Sequence, residues 1–257
     1  MRLLPQGTRR WATAVIGMVC SVLALPADGS GQQRTQDSRG FVTVSGGYQV
    51  SSTDFSGSVI FPVNAEAVTA TSDYVIDAGP FFDISGGVRV WRNLVVGGGV
   101  SQFTQDGEAA VAAGVPHPFF FGQDRPVSGT AIATRKEAAV HIQAQWVIPV
   151  SDAVDVAVFG GPTFFTVEQD FVSGIDFTDV FPFETATFVS APVEQQSGSA
   201  VGFHVGADVA VYVTRYVGVG GLVRWSRATV DFLSSDGDTM SVETGGVHVG
   251  GGLRLRF

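Results

Sequence analysis

Residues 247–257 read Val-His-Val-Gly-Gly-Gly-Leu-Arg-Leu-Arg-Phe. Val247, Val249, Gly251, Leu253, Leu255 and Phe257 alternate with His248, Gly250, Gly252, Arg254 and Arg256, so a strand built from them has one apolar face and one polar or bare face. A strand of a closed sheet in lipid requires that division, because hydrocarbon meets one face and an enclosed wet interior meets the other.

The same period of two recurs upstream, in segments 39–50, 79–91, 94–105, 135–150, 154–167, 199–213, 216–232 and 240–257. Eight such segments predict an all-β chain, an eight-stranded antiparallel up-and-down transmembrane β-barrel over 39–257. The connections at 92–93, 151–153 and 214–215 are tight, whereas 51–76, 106–134 and 168–198 are long loops and 233–239 a shorter one. Short turns on one side and longer loops on the other put the tight side in the periplasm. Trp146, Tyr212, Tyr216 and Phe257 near the tight side, with Tyr48, Phe164 and Trp225 near the other, predict two aromatic girdles.

Composition points the same way: 45% apolar residues with 33 glycines and only 15% charged residues suits one extended β unit over two ordinary soluble domains. Arg2, Arg9 and Arg10 precede the apolar run 11–25, which predicts a signal peptide over 1–27, removed on ordinary export, and then a polar leader over 28–38. Cys20, the single cysteine, lies within the apolar run, so the mature chain is expected to hold no thiol, disulfide or cysteine metal site.

The signal peptide, the alternating segments and the ending Leu253, Leu255, Phe257 resemble the small outer-membrane β-barrel superfamily that includes the OmpA barrel domain, OmpX and OmpW. The resemblance implies the outer membrane of a Gram-negative-type bacterium, with outer-membrane lipids and lipopolysaccharide as surroundings. It also implies that Leu253, Leu255 and Phe257 form the signal read by the barrel-assembly machinery. Pattern rather than a family motif carries it, so it bears on fold and location before function.

Following the alternation, a polar cluster of Asp83, Arg89, His141, Asp155, His204, Asp208, Arg224, His248, Arg254 and Arg256 faces the lumen, with Gln143 and Gln145. Eight strands enclose an interior that side chains nearly fill. The plain reading is a satisfied, ion-paired core in two layers, since an unpaired charge there is costly. A sharper one is a selective conduit or a proton-sensitive plug built on the three histidines. They lie on separate strands without diagnostic spacing, so no metal site is assigned. The glycine clusters at 97–99, 218–221 and 250–252 precede no helix and do not cradle phosphate, so no cofactor is expected. No serine stands at convincing spacing from a histidine, and no enzyme activity is expected.

The loops carry the remaining signal. Acidic residues from Asp54 to Asp238 face a single base, Arg125, which excludes nucleic acid as a partner. Phe119, Phe120, Phe121, Phe177, Phe181 and Phe183 place large apolar groups where water is expected. They have three fates: a collapsed loop core, contact with lipid headgroups, or a vestibule for a small apolar ligand. His117 stands alone among prolines and reads as incidental. The leading expectation is a structural or surface-interaction protein acting through these loops, with a conduit for small apolar molecules, as proposed for OmpW, as the alternative.

Overall fold

Alternating side chains need two different environments, and the chain supplies them by closing a sheet on itself. The computed structural model describes residues 39–233 and 239–257; the expected signal peptide and leader, 1–38, lie outside these. Twelve strands run in order: β1 (Gly40–Gln49), β2 (Thr53–Val63), β3 (Glu66–Ile76), β4 (Gly79–Trp91), β5 (Leu94–Pro116), β6 (Asp124–Ser151), β7 (Val154–Val172), β8 (Asp176–Asp179), β9 (Ala186–Ser190), β10 (Val193–Tyr212), β11 (Val217–Leu233) and β12 (Thr239–Arg256). Eight of them, β1, β4, β5, β6, β7, β10, β11 and β12, pair with neighbours in an antiparallel ring closed by β5 against β6 and by β1 against β12. At the seam Phe41 sits opposite Arg256, and the Arg39 and Gly40 amides both donate to the Phe257 carbonyl, at 2.6 and 2.9 Å.

The outward face over one stretch of every ring strand is apolar. On β6 it presents Ala138, Val140, Ile142, Ala144, Trp146 and Ile148, with Lys136 and Thr134 just beyond. Ten residue steps at about 3.3 Å and a tilt near 40° give a band roughly 25 Å tall, the thickness of a membrane's hydrocarbon core along such a barrel. Tyr48, Phe164, Phe203 and Trp225 border it on one side, and Trp146, Tyr216 and Phe257 on the other, all exposed. Tyr212 corrects the expected girdle. Its even-numbered position on β10 turns it inward, where the Arg256 guanidinium lies 3.6 Å from its ring centre.

The largest correction concerns the loops. Segments 51–76, 106–134 and 168–198 are mostly strand. β5 and β6 run on past the band and pair from Gln105 with Arg135 up to Pro116 with Asp124. β2 and β3 form a hairpin that stacks beside this extension through β3 and β5. Asn64 and Ala65, at φ 49° and 65°, supply the two positive-φ residues of its tight turn. β7 pairs with β10 up to Val172 and Val193, and the short β8–β9 hairpin packs on β6.

The physical reason lies in a reversal of polarity along each strand. Within the band the outward set is apolar and the inward set polar. Above it water surrounds the wall, so the same parity carries the opposite chemistry. On β11 the outward residues pass from Val219, Val223 and Trp225 to Arg227, Thr229 and Asp231. The inward ones pass from Arg224 and Ser226 to Ala228, Val230 and Phe232. β6 and β7 switch likewise, at Lys136 and Thr166. The extension therefore has an apolar core of its own, built on Tyr74, Phe165, Phe171, Val230, Phe232 and Val242.

Candidate functional site: the lumen and the outer tip

Three polar layers fill the barrel beneath that apolar core. Nearest the tight turns, Arg254 reaches Asp208 with two hydrogen bonds, Nη1 to Oδ1 at 3.0 Å and Nη2 to Oδ2 at 2.9 Å, while its Nε donates to Thr43 Oγ1 at 2.8 Å. Gln145 donates to the same Asp208 carboxylate at 3.0 Å. Arg256 approaches Asp155 at 3.9 Å, and Arg89 points inward at this end. The bidentate Arg254–Asp208 pair ties β12 to β10 across the interior, a geometry in which the fork of the guanidinium fits the carboxylate.

At mid-height Arg224 Nη1 donates to Asp83 Oδ2 at 2.7 Å, joining β11 to β4, and both side chains are buried. Beside them a hydrogen-bonded chain runs from Ser101 Oγ to His141 Nε2 (2.9 Å), from His141 Nδ1 to Thr163 Oγ1 (3.0 Å), and from Thr163 Oγ1 to His204 Nδ1 (2.8 Å). The His141 and His204 rings meet edge to face with centres 4.9 Å apart, whereas His248 packs against Phe81 at 5.1 Å. Gly47 and Gly250 make room for that Phe81 ring; a Cβ on Gly250 would stand 3.0 Å from it. Among the described residues no three histidines, aspartates or glutamates are placed to hold a metal ion.

The fold brings Ser101 to His141, a pair that no spacing in the sequence pointed to. The Ser101–His141 contact is mid-lumen, however, and the far nitrogen of His141 bonds a threonine hydroxyl where a hydrolytic triad has a carboxylate.

The third layer was missed in the sequence. Arg135 Nε donates to Glu137 Oε1 at 2.6 Å, and Arg135 Nη2 donates to the Glu243 carbonyl at 2.9 Å. Glu137 Oε2 in turn accepts from the Gly245 amide at 3.2 Å, and Gln49 donates to the Gly245 carbonyl. This ties β6 to β12 directly under the apolar core. Continuing the inward parity of His141 by four and six residues lands on Glu137 and Arg135, so the signal was present.

Space inside is scarce. One cavity, of about 20 Å³, is bordered by Asp83, His141, Asp208, Arg224 and Arg254, and a second, of about 30 Å³, by Gln145, Asp155 and Arg256. Each admits one or two waters and nothing larger. The Nε and Nη2 of Arg224 have no hydrogen-bond partner among the described residues, and a water at that level suits them.

The aromatic loop residues divide between two fates. Phe177 and Phe188 pack against the apolar core, with Phe171 buried within it. There Phe171 makes edge contacts with Tyr74, Phe55 and Phe232 at 5.8, 6.1 and 5.1 Å. The Val172 amide donates to Tyr74 Oη at 2.8 Å, and burial pushes the Tyr74 hydroxyl above its ordinary pKa, so it stays neutral. Phe119, Phe120, Phe121 and Phe181 stand exposed at the far end of the extension, with Phe183 half-buried among them. His117 is not incidental to this tip. It is buried, accepts from the Phe119 amide at Nδ1 (3.1 Å), and packs on Phe120 with ring centres 4.8 Å apart. Arg125 is buried too, bonded to Asp179 (2.8 Å), the Phe183 carbonyl (3.1 Å) and the Pro116 carbonyl (2.9 Å).

A closed antiparallel ring with an apolar outer band and a polar lining defines a membrane-spanning β-barrel of the bacterial outer-membrane class. Likenesses to solved structures are weak in detail. OprG from Pseudomonas aeruginosa aligns over 86% of this chain and 97% of its own at 12% identity and a TM-score of 0.43. OmpT, an outer membrane protease from Escherichia coli, aligns over 89% and 99% at 9% identity and 0.41. Ail, the attachment invasion locus protein of Yersinia pestis, crystallised with the heparin analogue sucrose octasulfate, aligns over 84% and 99% at 12% identity and 0.36. No protein-family model and no curated protein sequence matches the chain. The architecture therefore rests on the strand pairing itself.

Proposed function

We propose that the protein is a non-conducting, non-catalytic outer-membrane anchor that holds a rigid β-extension and its aromatic tip outside the cell for surface interaction. The carrying observation is the lumen. Three cross-tied polar layers cross the lumen, and the two cavities between their described residues each hold a water or two, so passage along the axis requires breaking buried ion pairs. The apolar core above those layers closes the outer end as well. Surroundings of outer-membrane lipid and lipopolysaccharide follow from the apolar band, and assembly through Leu253, Leu255 and Phe257 belongs to the same proposal.

The conduit reading has one observation in its favour: the apolar core around Phe171 stands directly over the lumen, as an entrance for apolar solutes would. Recording from single proteins in planar bilayers separates the two. The anchor reading expects silence at physiological voltages. Reproducible conductance steps, reduced by an apolar solute, would overturn it in favour of the conduit.

A further inference from the structure

Water does not favour large apolar side chains at the most remote point of an extracellular projection, yet this chain concentrates them there. Phe119, Phe120 and Phe121 are 70%, 57% and 81% exposed, and Val180 and Phe181 are each 80% exposed. The tip lies where the β5–β6 hairpin turns and where β8 gives way to β9. From Lys136 to Asp124 is twelve strand steps, which lifts it roughly 30 Å above the apolar band. The barrel's own membrane is therefore too distant to cover these rings.

The mounting is rigid. Arg125 ties β6 to Asp179 and to the Phe183 carbonyl, His117 holds the Phe119 amide, and Gly122 donates to Glu66 at 3.2 Å. Phe183 touches both Phe119 and Phe181, with ring centres 5.5 and 6.0 Å away. A patch held this way pays little ordering entropy when it docks.

Charge narrows what docks. Asp124, Asp179 and Glu184 belong to the turns that carry the rings and Glu66 accepts from Gly122 between them, while Arg125, the one arginine or lysine among the described residues of these turns, is buried and paired with Asp179. A second copy of this tip meets the same acidic rim and is repelled, and so is an anionic bilayer. A surface presenting fixed cations above hydrocarbon satisfies both parts: aromatic faces and carboxylates attract quaternary ammonium groups, and the rings enter the apolar layer beneath.

Resting on the surface-interaction reading, we propose that the tip docks into an apposed phosphatidylcholine bilayer, with the choline ammonium groups over the acidic rim and Phe119, Phe121 and Phe181 inserted below the headgroups.

The test uses the protein in phosphatidylethanolamine-rich nanodiscs mixed with sealed vesicles. Discs are expected to co-float with phosphatidylcholine vesicles. At least tenfold less should float with phosphatidylglycerol vesicles, or when Phe119→Ser, Phe121→Ser and Phe181→Ser are combined. A Phe121→Trp variant is expected to gain emission that brominated phosphatidylcholine vesicles quench, which the described wild-type tryptophans, Trp91, Trp146 and Trp225 on the barrel strands, do not show. A heat-dependent gel shift establishes that each variant is folded. Flotation unchanged in the triple variant, equal binding to phosphatidylglycerol, or absence of flotation would overturn the proposal, as would tip-dependent pairing of discs without vesicles. Such failure leaves the anchor reading standing as long as bilayer recordings stay silent, whereas conductance removes that reading on its own.

Discussion

Replacing Asp83 by leucine is expected to destabilise the barrel by about 3–5 kcal/mol, because it strands the Arg224 guanidinium in a closed interior. The two groups are 2.7 Å apart, and both side chains are buried. Arg224 makes no second side-chain hydrogen bond: Nη1 is committed to Asp83, and Nε and Nη2 meet no acceptor among the described residues. Most of the loss therefore measures an uncompensated charge and not the worth of the pair. Combining Asp83→Leu with Arg224→Met removes both charges and should recover most of the stability, since apolar replacements of buried pairs are often neutral or better. Guanidinium unfolding in lipid vesicles, followed by tryptophan emission, reads all three variants. Equal losses in the single and double variants would mean that the pair is wetter and freer than the structure shows.

Phe171→Ala is expected to cost about 3–5 kcal/mol, but in the extension and not in the membrane band. Phe171 touches Phe55, Tyr74 and Phe232, which come from three separate segments, so its removal opens a hole where those segments meet. The layers beneath do not depend on it. The variant should keep its heat-dependent gel shift while proteases and hydrogen exchange gain access to β7, β8, β9 and the outer half of β10. Loss of the barrel itself would show that the two regions fold as one unit.

These two sites also show what a sequence exposes and what it hides. The barrel is legible in 247–257 because lipid outside and a wet lumen inside impose a strict alternation that few other environments require. Parity likewise puts Asp83 and Arg224 on one face of their strands. Their pairing depends on the register of β4 and β11 across the ring, which no local pattern carries. The extension read as loop for a different reason. Where β6 leaves the membrane at Lys136, its apolar residues move from the outward to the inward set, and a search for one continuous alternation sees an ending. The strand continues, with Val127, Ala131 and Ala133 now inside. The same switch conceals Arg135 and Glu137, which stand at the boundary on the inward face. Arg125 was hidden by position alone, since its role depends on Phe183 and Asp179 arriving from another hairpin.

The central claim is that the outward face of this ring lies in hydrocarbon over one band and in water above it. Nitroxide labels test it most directly, placed one at a time on β6 at Val140, Ile142, Ser128 and Thr130, with Cys20 replaced by serine, in reconstituted vesicles. Oxygen should relax labels at 140 and 142 far more strongly than a water-soluble nickel complex does, and the order should reverse at 128 and 130. If the nickel complex reaches 140 and 142 as freely as 128 and 130, the face is not in lipid and the barrel is not a membrane protein.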